Sequence, residues 1–210
     1  MKLAEFYKNT VAINEAQTGG WAALYYGVLT KVVRENNFKS LVEVGIGYGT
    51  HAKYILQTTD VEKLVLVDPM KYYPNDGFAE DIMKTIPSQP GSHFNEMYDL
   101  IHQELSPWKG RYVWHRTESL QITNEQVPDD SVDCVFVDGD HSYLACLNDL
   151  NFWWNKVRPG GQLLGDDYWM EEVSNAVETF AEIKGISYDF LYKEGTTYKI
   201  FRFHKPVRAL

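Results

Sequence analysis

Two stretches of this sequence carry side chains whose types and spacing could do chemistry. The first is acidic. Asp138-Gly139-Asp140-His141 and Gly165-Asp166-Asp167 each follow a short apolar run. If those runs are neighbouring strands, four carboxylates meet in a small volume. Like charges so close repel, raise one another's pKa, or recruit a cation. Hard oxygen donors with little sulfur or imidazole suit Mg²⁺ or Ca²⁺ better than zinc. Asp and Gly are also ordinary turn residues, so a metal-free set of loop caps is the competing reading. His141 adds an imidazole that titrates near neutrality.

The second stretch is Glu43-Val-Gly45-Ile-Gly47-Tyr-Gly49-Thr50. Glycines permit a tight turn and let a ligand approach the backbone closely. Amides at the start of the following helix favour a carboxylate or phosphate. The dinucleotide pattern is G-x-G-x-x-G; here the glycines alternate and Thr50 takes the last position. The phosphate-loop ending Gly-Lys-Ser/Thr is missing. Asp68 closes the next apolar run, and its carboxylate could accept both hydroxyls of a ribose. In this order the pieces point to a nucleoside-type ligand over the first two strands.

Particular elements must hold these residues. Trp21, Leu24, Val28 and Val32 mark a helix through Asn36, within a helical segment over 1–38. Ser40–Val44 and Lys63–Val67 read as buried strands, with a helix over Thr50–Leu56 that Thr50 could cap. Pro69, Pro74, Pro87, Pro90 and Pro107 forbid one regular element over the inserted region 69–110. The expectation there is loop, a short helix near 78–86, loop, and a helix from Phe94 to Leu105. Inserts of this kind often serve as binding-site covers. Tyr112–Arg116 and Val132–Val137 are further strands, and Tyr143–Trp154 is helical. Arg158-Pro-Gly-Gly161 breaks that helix before a fifth strand at Gln162–Leu164. A helix over Glu171–Ile183 and a hairpin of 187–192 with 198–203 close the chain. Alternating strands and helices make an α/β fold, a doubly wound, mostly parallel sheet with right-handed crossovers and a C-terminal antiparallel hairpin.

Composition narrows the function classes. The 210 residues carry 20 basic and 29 acidic side chains, net −9, which argues against affinity for nucleic acid or anionic membrane. The longest apolar run, Ala22–Leu29, is too short to span a bilayer, and the first residues show no signal core. A single cytoplasmic domain is expected, with the oligomeric state open to a homodimer. Cys134 and Cys146 make no disulfide framework, and Cys134 reads as a buried thiol. Trp153-Trp154, Trp169 and Tyr72-Tyr73 could line a flat pocket; Trp154 reads as core, while Tyr168 and Trp169 have the better claim to the pocket.

From about Lys39 to Phe203 the sequence resembles the class I S-adenosylmethionine-dependent methyltransferases, whose fold is a Rossmann-like seven-stranded sheet. The carriers are Glu43-x-Gly45-x-Gly47-x-Gly49, Asp68, Thr117-Glu118-Ser119, Arg158-Pro-Gly-Gly161 and the final hairpin. The acidic strings resemble those of bacterial small-molecule O-methyltransferases, the macrolide-sugar and catechol-type enzymes. The resemblance implies S-adenosylmethionine held by Glu43, Gly45, Gly47, Gly49 and Asp68, with Glu118 or Ser119 at adenine and Asp138 on the cofactor's edge. It implies Mg²⁺ or another divalent cation on Asp138, Asp166 and Asp167, and a hydroxylated small molecule as acceptor. His141 stands where catechol-type enzymes carry a lysine base, so the implied catalytic residues are His141 and Asp138, with Asp140 competing with His141 as the base. Rival readings are an NAD-dependent oxidoreductase, against which the glycine spacing and the hairpin count, and a metal-free adenosyl-ligand protein. A nucleic-acid methyltransferase is weaker still, because Asp138-Gly-Asp-His replaces the Asn/Asp-Pro-Pro-aromatic string of the amino-methylating enzymes.

Overall fold

A computed structural model describes residues 2–16, 26–71, 73 and 92–207. Its centre is a seven-stranded sheet in the order β3-β2-β1-β4-β5-β7-β6. The strands are β1 (Ser40–Val44), β2 (Lys63–Val67), β3 (Tyr112–His115), β4 (Val132–Val137), β5 (Val157–Gly165), β6 (Tyr188–Tyr192) and β7 (Lys199–His204). The first five run parallel, and β7 pairs antiparallel with both β5 and β6. The central strands SLVEV, KLVLV and VDCVFV are nearly continuous apolar runs because helices cover both faces.

Alternation along each strand divides the core. Leu41, Leu64, Leu66, Cys134 and Phe136 face α1 (Leu3–Ala16), α2 (Tyr26–Glu35), α3 (Thr50–Thr58) and α4 (Ser92–Leu105). Val42, Val44, Val65, Val135 and Val137 face α5 (Tyr143–Lys156) and α6 (Glu171–Lys184). Trp153 is fully buried in the second core, so it does not line a pocket, and Trp154 is nearly as buried there, as expected of a core residue. Both cysteines are buried, and burial raises both thiols, so neither is a nucleophile at neutral pH.

Two expected boundaries differ. Arg158–Gly161 lies inside β5 rather than ahead of it, because the ladder with β4 slips register between Val132 and Cys134 and the strand resumes pairing at Gln162. Thr50 is the first residue of α3, not its cap; Gly49 takes the cap position, and the Thr50 hydroxyl bonds that of Tyr26. The expected helices near 78–86 and over 21–25 lie outside the described residues.

What positions the site is the alignment of strand ends. His115, Val67, Val44, Val137 and Gly165 stand in one row across the sheet. The residues directly after four of those ends are Asp68, Gly45, Asp138 and Asp166. Each donates its amide to the row: Asp68 to His115 O (3.4 Å), Gly45 to Val67 O (3.0 Å), Asp138 to Val44 O (2.8 Å) and Asp166 to Val137 O (3.2 Å). The ladder thus runs one residue past the strands and fixes all four.

Gly45 is the tightest point. Its φ is +78°, and a Cβ there would stand 2.0 Å from the Asp138 carbonyl oxygen. Gly45→Ala must therefore strain a left-handed residue and push β1 and β4 apart at once. Overpacking of this kind costs roughly 1–3 kcal/mol and the backbone strain a similar amount. Urea denaturation should show about 3 kcal/mol lost; an unchanged midpoint would contradict the close approach.

Candidate active site

The glycine turn is built by contacts with its neighbours. The Asp68 carboxylate accepts the Ile46 amide at 3.0 Å and the Met70 amide at 2.6 Å, tying the turn to the end of β2. The Tyr7 hydroxyl of α1 donates to the Tyr48 carbonyl at 3.3 Å, which anchors the N-terminal helix on the same turn. Gly47 differs from Gly45: its φ is +48°, and among the described residues a Cβ there would meet nothing within 4 Å. The backbone at Gly47 therefore borders space that no described residue fills and that a ligand can enter. Glu43, within β1, is buried and bonded to His51 Nδ1 at 3.0 Å, while its Oε2 is buried without a hydrogen-bond partner among the described residues. Burial raises its carboxyl above the ordinary range against the opposing pull of His51. An orphaned acceptor and an open glycine face fit the amino-acid end of an S-adenosylmethionine molecule.

The two residues expected at adenine are engaged elsewhere. Glu118 Oε1 accepts the Tyr73 hydroxyl at 2.5 Å and a short bond from Lys71. The Ser119 hydroxyl accepts the Trp153 indole N–H at 2.7 Å.

At the ends of β4 and β5 the structure brings together Asp138, His141 and Asp167, whose donor atoms all lie within 4.8 Å of one another. His141 Nε2 stands 2.8 Å from Asp167 Oδ2 and 3.8 Å from Asp138 Oδ1. It is a buried nitrogen with no aligned hydrogen-bond acceptor among the described residues. Two carboxylates converging on an imidazole nitrogen that lacks a well-directed bond fit a divalent cation by their chemistry.

Asp166 lines the same cleft but stands outside that trio. Its Oδ1 accepts the Asp167 amide at 2.7 Å and a short bond from the Tyr198 hydroxyl. Burial, and then the Asp138 charge, push its carboxyl well above the usual carboxylate range. Asp140 turns to solvent and accepts the Ser142 amide at 2.7 Å, a local bond ahead of α5. Trp169, 76% exposed, donates its indole N–H to Asp167 Oδ1 at 2.8 Å, which leaves a flat ring at the rim of the cleft. Tyr168 instead bonds Tyr188 at 2.9 Å, away from the acids.

Three comparisons bear on this geometry. A family model described as a methyltransferase domain matches residues 42–168, from β1 through the second acidic string. An uncharacterized protein of Acanthamoeba polyphaga mimivirus is 26% identical over 177 residues, 81% of this chain and 73% of that protein. Among solved structures, an O-methyltransferase from Bacillus cereus in complex with SAH aligns over 97% of this chain and 90% of its own, with TM-score 0.62 and 13% identity. The O-methyltransferase TomG of Streptomyces achromogenes, in complex with SAM, aligns over 98% and 90%, with TM-score 0.63 and 13% identity.

The acids push His141 up to about 10: the Asp138 and Asp167 contacts raise it and burial opposes them less strongly. The unfolded value is ~6.5. A raised cationic group stabilises the fold fully below the unfolded pKa and loses that contribution as pH rises through the folded one. The metal-free protein should lose this contribution between about pH 6.5 and 10. In that state, imidazole NMR shifts should show His141 still protonated at pH 8. Asp167→Asn should return its titration toward neutrality; an ordinary midpoint in the wild type would remove the two-acid clamp.

Proposed function

The chain belongs to the class I S-adenosylmethionine-dependent methyltransferases, and on that footing we propose that it is an O-methyltransferase. The acceptor is a hydroxylated small molecule, and a divalent cation, Mg²⁺ or one like it, is held between Asp138 and Asp167. The observation that carries this reading is the convergence of Asp138, His141 and Asp167 directly across the Gly45 contact from the glycine turn. Neither half of the site is useful without the other: one holds a methyl donor, and the other can hold and deprotonate a hydroxyl.

Glu43 Oε2 and the Gly47 backbone hold the amino-acid end of the donor, and Asp68 holds its ribose. When bound, the cation lowers the pKa of an acceptor hydroxyl. A cation held by Asp138 and Asp167 would engage the two carboxylates that keep the extra proton on His141 and so would release it. The imidazole can then take the hydroxyl proton, a contribution of typically ~10²–10⁴ in rate. The acceptor oxygen forms its bond to the methyl carbon as the carbon–sulfur bond breaks, and sulfur leaves as a neutral thioether. Trp169 offers a wall for a ring-bearing acceptor beside the acids. Alignment of the two reactants can supply ~7–11 kcal/mol.

A second reading rests on His141 as found. A protonated imidazole between two acids occupies the place a cation would take, and a metal-independent transferase could work with it there. Chelation separates the two. With an accepted hydroxylated substrate, activity should vanish in chelator and return with Mg²⁺ or Mn²⁺. Asp167→Asn should reduce turnover by more than ~100-fold, beyond what outer-shell changes cost a metal site. Its affinity for S-adenosylhomocysteine should barely change. Full turnover by enzyme shown to be metal-free would favour the second reading.

A further inference from the structure

One buried acid has no part in the reaction described above. Asp149 lies on α5, 6% exposed. Among the described residues no Lys, Arg or His pairs with it. The charges that act on it, Asp140 and Glu118, are both negative. Burial above all, with those two acids adding to it, pushes its carboxyl up to about 6; the Ser119 hydroxyl is the one group that favours the ionised form. An ionised carboxylate accepts and never donates. Buried without a cation, it is stable only if donors reach it.

Its position says where such a donor could come from. Asp149 Oδ2 stands 3.6 Å from where a Cβ of Gly139 would lie, a point that Val44 Cγ1 borders at the same distance. Gly139 follows Asp138 at the end of β4, and Val44 precedes the glycine turn. The Ser119 hydroxyl, after β3, already accepts from Trp153 and keeps its own proton for Asp149. Asp149 therefore sits beneath the meeting point of the β1, β3 and β4 ends. A nucleoside whose ribose is at Asp68 can place its base there. The residues that the sequence offered for the base, Glu118 and Ser119, already have protein partners.

We propose that Asp149 reads the base of the cofactor, its carboxylate accepting the exocyclic amino group of adenine. This deepens the cofactor assignment and rests on it. An amino group at the purine 6-position supplies Asp149 with a donor besides the Ser119 hydroxyl. A carbonyl at that position would set acceptor against acceptor beside a buried acid.

The test is calorimetric binding of S-adenosylhomocysteine and S-inosylhomocysteine, which differ at that position and in the proton that inosine carries on the adjacent N1. Wild-type protein should prefer the adenosyl compound by more than about 100-fold. Asp149→Asn, whose amide can donate as well as accept, should reduce the preference to within about tenfold, with the melting temperature confirming the fold. Asp149→Ser is run alongside, and either folded variant decides. A wild-type preference below about tenfold overturns the proposal without any variant. A variant that keeps the full preference, or weakens both ligands equally, also overturns it. Wild-type protein that binds neither compound would instead strike at the cofactor assignment.

Discussion

The close approach of Gly45 to the Asp138 carbonyl is the contact on which the site depends. With 2.0 Å between that oxygen and any Cβ at position 45, only glycine lets β1 and β4 finish side by side. The Asp138 amide closes the same contact by donating to Val44 O at 2.8 Å. The turn proposed to receive the donor and the acid that heads the trio are thus parts of one backbone junction. Methyl transfer needs two reactants held within bonding reach, and in the proposed reaction this junction would set that distance through peptide geometry rather than through mobile side chains.

Around the junction, charge is arranged by burial. A protein of net −9 could leave its acids to solvent, yet Glu43, Asp149 and Asp166 are all withdrawn from it. Each is raised by desolvation, and each lies close to the C-terminal edge of the sheet. Asp133, by contrast, is held below the ordinary range by the Lys39 and Ser40 amides and by Arg158, at the opposite ends of the strands. Acids satisfied by the protein brace the fold at one end. Acids left wanting donors or a cation gather at the other, where ligands bind in open α/β sheets.

Much of this could be read from the sequence. Apolar runs closed by Gly45, Asp68, Asp138 and Asp166 located the strand ends, because parallel strands buried on both faces leave little else to vary. What escaped was pairing across long separations. Nothing near Glu118 announces Lys71 and Tyr73, and nothing near Ser119 announces Trp153, 34 residues away. Aromatic content marked Trp153 for a pocket, but helical position placed it in the core. The trio also differs in membership from the three acids that the family pattern offered: His141 turns inward between Asp138 and Asp167, while Asp166 is claimed by Tyr198. The Tyr198 partnership could have been found only by knowing that β7 lies against β5, a pairing set by the hairpin.

In the proposed reaction, donor and cation share one junction, and paramagnetic relaxation measures that directly. Mn²⁺ is added to the protein saturated with S-adenosylhomocysteine, and the relaxation of each ligand proton is followed by NMR. The methylene protons flanking sulfur should relax strongly and the adenine protons far less, and the effect should collapse in Asp138→Asn. Equal relaxation of every ligand proton, or none at all, would place the cation away from the glycine turn and contradict the shared site.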